Sequence, residues 1–127
     1  MIKGLGIDIV EVNRIKNMKT RWQQRFLEKV FTDQEIDYCQ GKKNSSQHLA
    51  ARFAAKEALV KCLGTGFNNI TLKDIEVVND NQGKPNLKLY DRVQELAQIK
   101  GIEEIHISLS HEKEYAVAEV LGEGGSK

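Results

Sequence analysis

Apolar and polar residues alternate from Ile2 to Val12, IKGLGIDIVEV, and the alternation predicts a first strand. Leu5, Ile7 and Ile9 fall on one face; Gly6, Asp8 and Val10 fall on the other. The stretch RIKNMKTRWQQRFLEKV has helical period, with Ile15, Trp22 and Phe26 in an apolar stripe and Met18 between them. In FTDQEI, Thr32 and Glu35 match a capping box, and Phe31 and Ile36 are placed to form its hydrophobic staple. That pattern predicts a helix from Thr32 to about Cys39. The polar loop GKKNSSQ offers Ser45 or Ser46 as cap for a helix from about Gln47 to Leu63. IEVV and NLKL flank the turn-rich NDNQGKP and read as a hairpin. YDRVQELAQIKG reads as a helix closed by Gly101. EIHISLSH and YAVAEVL alternate and predict a second hairpin across Glu112 to Glu114. No internal repeat or linker interrupts the chain. The expected class is α+β, one domain over residues 1–121 with a flexible tail, GEGGSK, at 122–127.

The long helix breaks the usual pattern. Apolar or small residues cover nearly its whole circumference, as in a helix that is buried or shared with another subunit. Yet it carries Arg52, Lys56, Glu57 and Lys61. Buried charges need partners, because an unpaired one costs several kcal/mol, on the order of 3–5. Glu57 and Lys61 stand in the order that favours an ion pair along the helix. Arg52 and Lys56 are like charges one turn apart, which is unfavourable unless an anion lies between or beyond them. Gly64-Thr65-Gly66 ends the helix. Gly64 suits a left-handed cap, and the second glycine would let a backbone approach a phosphate. Asp8 makes a similar demand in mid-strand. It either faces solvent or caps a helix at a strand end, or it pairs with Glu57. Two carboxylates with no nearby His or Cys set suit a hard cation, Mg²⁺ above all. His111 stands where a strand gives way to a turn, and no Ser-His-Asp triad is legible.

Composition narrows the function classes. Among 127 residues 29% are charged and the net charge is +1, which does not suit a general nucleic-acid binder. The run Leu5 to Val10 is short and holds Asp8, so neither a signal peptide nor a membrane span is expected. Cys39 and Cys62 have no metal-like spacing and fit free thiols in a reducing cytoplasm. Between Arg14 and Lys29 stand six basic residues and one acid, Glu28. Arg14, Arg21 and Arg25 align on one side, giving either a solvated basic face or a docking surface for an acidic partner.

The segments GIDIVEVNRI, FTDQE, RFAAKEALVKCLGTG, NDNQGKP and SLSHEKEYAVAEV, in this order, resemble the holo-[acyl-carrier-protein] synthase family of small bacterial 4′-phosphopantetheinyl transferases. The resemblance runs from Ile2 to about Val120. It implies a homotrimer that moves phosphopantetheine from coenzyme A to a serine of apo acyl carrier protein and releases adenosine 3′,5′-bisphosphate, in fatty acid biosynthesis. It makes Asp8 and Glu57 the ligands of Mg²⁺, or of Mn²⁺, and sets Lys61 at the pyrophosphate. Arg52 falls at the 3′-phosphoadenosine end. Gly64, Thr65, Gly66, Pro85, Ser110 and His111 become walls of the coenzyme site, with Asp8, Glu57, Lys61 and His111 as catalytic candidates. Arg14, Met18, Arg21 and Arg25 become the carrier interface. The rival expectations are a non-catalytic module that binds coenzyme A or a nucleotide, and an acyltransferase that uses coenzyme A thioesters without a metal.

Overall fold

The computed structural model describes residues 1–67 and 69–125, the side chains of residues 21–24 excepted. Strand β1 (Ile2–Glu11) leads into helices α1 (Val12–Val30), α2 (Asp33–Gln40) and α3 (Ser45–Leu63). After a short 3₁₀ turn (Leu72–Asp74) come β2 (Ile75–Asn79) and β3 (Pro85–Leu89), then α4 (Asp91–Lys100), β4 (Glu104–His111) and β5 (Tyr115–Glu123). Antiparallel β1, β5 and β4 form one sheet, and the β2–β3 hairpin forms another. Both expected hairpins are present, and Gly101 caps α4 in the left-handed region.

Two boundaries differ from expectation. Asn44, not Ser45 or Ser46, precedes α3, and no side chain caps that end. The supposed tail is ordered at its start. Gly122 and Glu123 belong to β5, and the Gly124 N–H donates to the Met1 carbonyl at 2.9 Å. Ser126 and Lys127 lie outside the described residues. The Thr32–Glu35 capping box forms as expected at the start of α2.

Helix α3 crosses the inner face of the three-stranded sheet and is buried on most sides. Small residues allow this. A Cβ on Gly6 would collide with the Ala58 carbonyl, and one on Gly4 with the Cys62 carbonyl. Ala116 and Ala118 complete the flat bed from β5. The strand and helix backbones therefore approach closely, and the next inward residue on β1, Asp8, meets the helix.

The outer face of the sheet is the more apolar face of β1, yet it is open. Leu5, Ile7 and Ile9 are 59%, 58% and 63% exposed. Val117 and Leu121, their partners on β5, lie beside Ile9 and Leu5.

Lys56 corrects another expectation. It does not join Arg52 in reaching for an anion; it is completely buried. Its Nζ lies 2.8 Å from Glu35 Oε1 and donates to the carbonyls of Leu72 and Ile75. Glu35 also accepts from Val77 N–H at 2.8 Å, and Thr32 Oγ1 donates to Glu76 at 2.6 Å. Burial lowers the Lys56 pKa while Glu35 opposes the shift. The network ties α2, α3 and β2 together and supplies the partner that a buried charge requires.

Candidate active site

Asp8, Glu57 and Lys61 meet where β1 crosses α3. Lys61 Nζ donates to Asp8 Oδ1 at 2.9 Å and to the Ile7 carbonyl at 3.0 Å. The ion pair along the helix between Glu57 and Lys61 is thus replaced by one across to the strand. Glu57 is half-buried, and its Oε1 has no hydrogen-bond partner. Burial raises the Glu57 pKa first, the Asp8 carboxylate raises it further, and Arg14 and Lys61 oppose both. An orphaned buried oxygen beside a second carboxylate fits the donor set of a hard divalent cation. Gly64 and Gly66, both with positive φ, carry the chain away from α3 one turn beyond Lys61.

The remaining site residues gather elsewhere. Arg52 lies about 140° around the helix from Glu57. It is 3% exposed, its guanidinium sits 4.2 Å over the Tyr38 ring, and it donates to Asn79 Oδ1. Pro85 is the strand partner of Asn79. Arg52, Tyr38 and Asn79 border a cavity of about 400 Å³ that reaches Gly83. The Arg52 Nε has no partner there. An aromatic chain continues from Tyr38 to His48 at 6.0 Å and on to His111 at 4.8 Å. His111 Nδ1 is 3.0 Å from Gln47 Oε1, and neighbouring Ser110 is exposed. The chain therefore holds two groups, Asp8–Glu57–Lys61 with the glycine loop and Arg52–Asn79–Pro85 with His111.

On α1, Arg14 and Arg25 are exposed and Met18 is half-buried. The Arg14 guanidinium lies 5.9 Å over the Phe53 ring, next to the Glu57 side of α3. Met18, Arg25, Phe26 and Lys29 border a hollow of about 330 Å³. The side chains of Arg21 and Trp22 lie outside the described residues.

The profile of the 4′-phosphopantetheinyl transferase superfamily matches residues 4–120, nearly the whole chain. The chain belongs to this superfamily. Among transferases of known name it is 54% identical to the holo-[acyl-carrier-protein] synthase of Halothermothrix orenii, over 98% of this chain and 100% of that one. Two solved structures share its fold. The Bacillus anthracis holo-(acyl-carrier-protein) synthase in complex with CoA (3′,5′-ADP) is 40% identical, with a TM-score of 0.81 over 98% of this chain and 99% of that one. The Helicobacter pylori synthase in complex with coenzyme A is 31% identical, with a TM-score of 0.83 over 94% of this chain and 99% of that one.

Sequence reasoning missed several residues of this candidate site. Tyr38, Asn79, His48 and Gln47 hold Arg52 and His111 in place, and they come from separate elements with no shared motif. A second donor cluster, Glu104, His106 and Glu123, has its ligand atoms within 4.8 Å of one another. It lies on the opposite face of the sheet from Asp8, and its histidine is already paired with both carboxylates.

Proposed function

We infer that this chain is a holo-[acyl-carrier-protein] synthase, transferring 4′-phosphopantetheine from coenzyme A to a serine of apo acyl carrier protein and releasing adenosine 3′,5′-bisphosphate. Family membership supports the reaction class. The observation that carries the residue assignment is the unpartnered Glu57 oxygen beside Asp8 and Lys61.

Asp8 and Glu57 would hold Mg²⁺ or Mn²⁺, and such an ion, when bound, neutralises diphosphate charge and polarises the phosphorus under attack. Lys61 is exposed beside the carboxylates and adds a further positive charge for the phosphates. The attacking serine hydroxyl must lose a proton. Glu57, whose carboxyl is pushed upward by burial and by Asp8, and Asp8 itself are the candidate bases. Gly64, Thr65 and Gly66 offer backbone to the coenzyme at one end. Arg52, Pro85, Ser110 and His111 are assigned to the other end, where the cavity beside Arg52 suits a phosphate-bearing nucleotide.

These two ends face apart on one chain, so a second copy completes each site. The open Leu5–Ile7–Ile9 face, continuous with Val117 and Leu121, is the surface by which copies would associate as a homotrimer. The carrier would dock on Arg14, Met18, Arg21 and Arg25, with the hollow beside Met18 taking an apolar anchor. Among the described residues no helix is long and apolar enough to cross a membrane. The free, buried Cys39 and Cys62 fit a cytoplasmic setting.

Incubation of apo acyl carrier protein with coenzyme A, Mg²⁺ and this protein tests the reading by mass spectrometry. The carrier gains the mass of phosphopantetheine. An unchanged carrier would leave only a coenzyme-binding module, and release of intact coenzyme A from a thioester would indicate an acyltransferase.

A further inference from the structure

We propose that Lys100 is a positioning residue for the glycine loop after α3, an inference that rests on the assignment of Gly64, Thr65 and Gly66 to the coenzyme. The loop has little else to hold it. It leaves α3 through Gly64, at φ 73°, and turns again at Gly66, at φ 68°. The Gly64 N–H is spent on closing its own helix, donating to the Val60 and Lys61 carbonyls. Thr65 Oγ1 reaches the neighbouring Gly66 carbonyl at 3.3 Å. Among the described residues no hydrogen bond from another element reaches residues 64–67, all four of which are exposed.

Lys100 acts on the residue just before them. Its Nζ donates to the carbonyl of Leu63, the last residue of α3, at 3.0 Å. A Cβ on Gly64 would lie 3.3 Å from the same nitrogen, so the ammonium sits against the first loop residue as well. The final carbonyls of a helix have no partner inside it, and a cation there also meets the negative end of the helix dipole. Lys100 has no carboxylate partner among the described residues, which leaves its charge to the helix end.

The base of this side chain is itself fixed. Lys100 is the last residue of α4, whose Val93 and Ala97 are buried in the core. Gly101 turns left-handed at φ 82°, and the Ile102 N–H returns to the Ala97 carbonyl at 2.9 Å. The Glu103 N–H then joins the Glu123 carbonyl of β5 at 2.8 Å. Lys100 thus carries the position of a packed helix to a loop with no tie of its own. The chemical groups do not depend on it, because Asp8, Glu57 and Lys61 are set by the crossing of β1 and α3. Its loss should weaken capture of coenzyme A and spare the transfer step, a change in KM without a change in kcat.

Transfer kinetics of Lys100→Met and Lys100→Arg, with calorimetry of coenzyme A on the same full-length proteins, test the proposal. In Lys100→Met both KM and Kd for coenzyme A should rise at least about fivefold, the scale of one lost hydrogen bond. The kcat and the KM for carrier should stay within about twofold. Lys100→Arg, which still donates to the Leu63 carbonyl, should restore both coenzyme constants to within about twofold of wild type. Amide hydrogen exchange at Thr65 and Gly66, without any ligand, should quicken at least about fivefold in Lys100→Met and not in Lys100→Arg. Val93→Ala is the control: it loosens α4 by a cavity but keeps Lys100, so it should lower the melting temperature and leave the coenzyme constants within about twofold. Unchanged coenzyme constants in Lys100→Met, no rescue by arginine, or an equal rise in Val93→Ala would each overturn the proposal. A wild type that binds coenzyme A but leaves the carrier unmodified would sink the transfer reading alone; binding and exchange would still decide the role of Lys100.

Discussion

Burial and the Asp8 carboxylate both push the Glu57 pKa upward. The folded state therefore holds the Glu57 proton more tightly than the unfolded chain. The associated stability is present below the unfolded carboxylate value and is lost as pH rises through the folded one. At neutral pH the ionised pair is a strain on the metal-free fold. Glu57→Gln should then raise the melting temperature of metal-free protein near neutral pH while abolishing transfer. Mg²⁺ should raise the melting temperature of the wild type and not of the variant; an equal rise in both would place the ion elsewhere. Cation affinity should also weaken as pH falls through the raised Glu57 pKa, because the ligand must be deprotonated. On α1, charge reversal by Arg14→Glu should raise the apparent KM for carrier and leave that for coenzyme A nearly unchanged. Equal effects on both would remove this helix from docking. Asp8 was legible as a functional candidate because a strand interior disfavours a carboxylate. Arg52 was legible as a charge needing a partner. Its actual contacts, Tyr38 and Asn79, were not, because tertiary packing alone brings them together.

The crossing of β1 and α3 depends on what the strand lacks. Gly6→Ala would drive a methyl into the Ala58 carbonyl, a backbone atom that cannot rotate aside. The expected loss is about 1–3 kcal/mol in urea unfolding. Transfer activity should fall further than the folded fraction, because Asp8 moves away from Glu57. The buried Lys56–Glu35 pair joins α3 to α2. Lys56→Ala leaves Glu35 charged and uncompensated, at a cost of about 3–5 kcal/mol. A loss below about 1 kcal/mol would show that the pair is not the clamp described. Helix positions were largely legible from period and caps, since the Thr32 capping box and the Gly64 and Gly101 ends are local signals. The role of Lys56 was not. The sequence shows a charge that must be satisfied, and two elements separated by a loop decide whether a carboxylate or a bound anion satisfies it. Glu35 looked fully explained by its capping box, which hid its second task.

On the scale of the whole molecule, the sheet presents its more apolar β1 face to solvent, and the two groups of site residues face apart. Both features are accounted for if copies associate through that face. Ile7→Glu should then dissociate the assembly in sedimentation and reduce transfer with it. A variant that kept its oligomeric state and its full rate would exclude the face. The alternation of β1 was legible, but its meaning was not, because periodicity separates two faces without saying which one meets the core. Glycines and alanines decide that here, by admitting α3 to the side with less apolar surface. The central claim is that Asp8 and Glu57 act as one unit in holding the ion that transfer requires. Transfer rates of Asp8→Ala, Glu57→Ala and the double variant, read from carrier mass at ordinary Mg²⁺, test it most directly. Each single variant should lose at least about 10²-fold, and the double should be no worse than either. A single variant at the wild-type rate, or losses that multiply, would contradict the shared site.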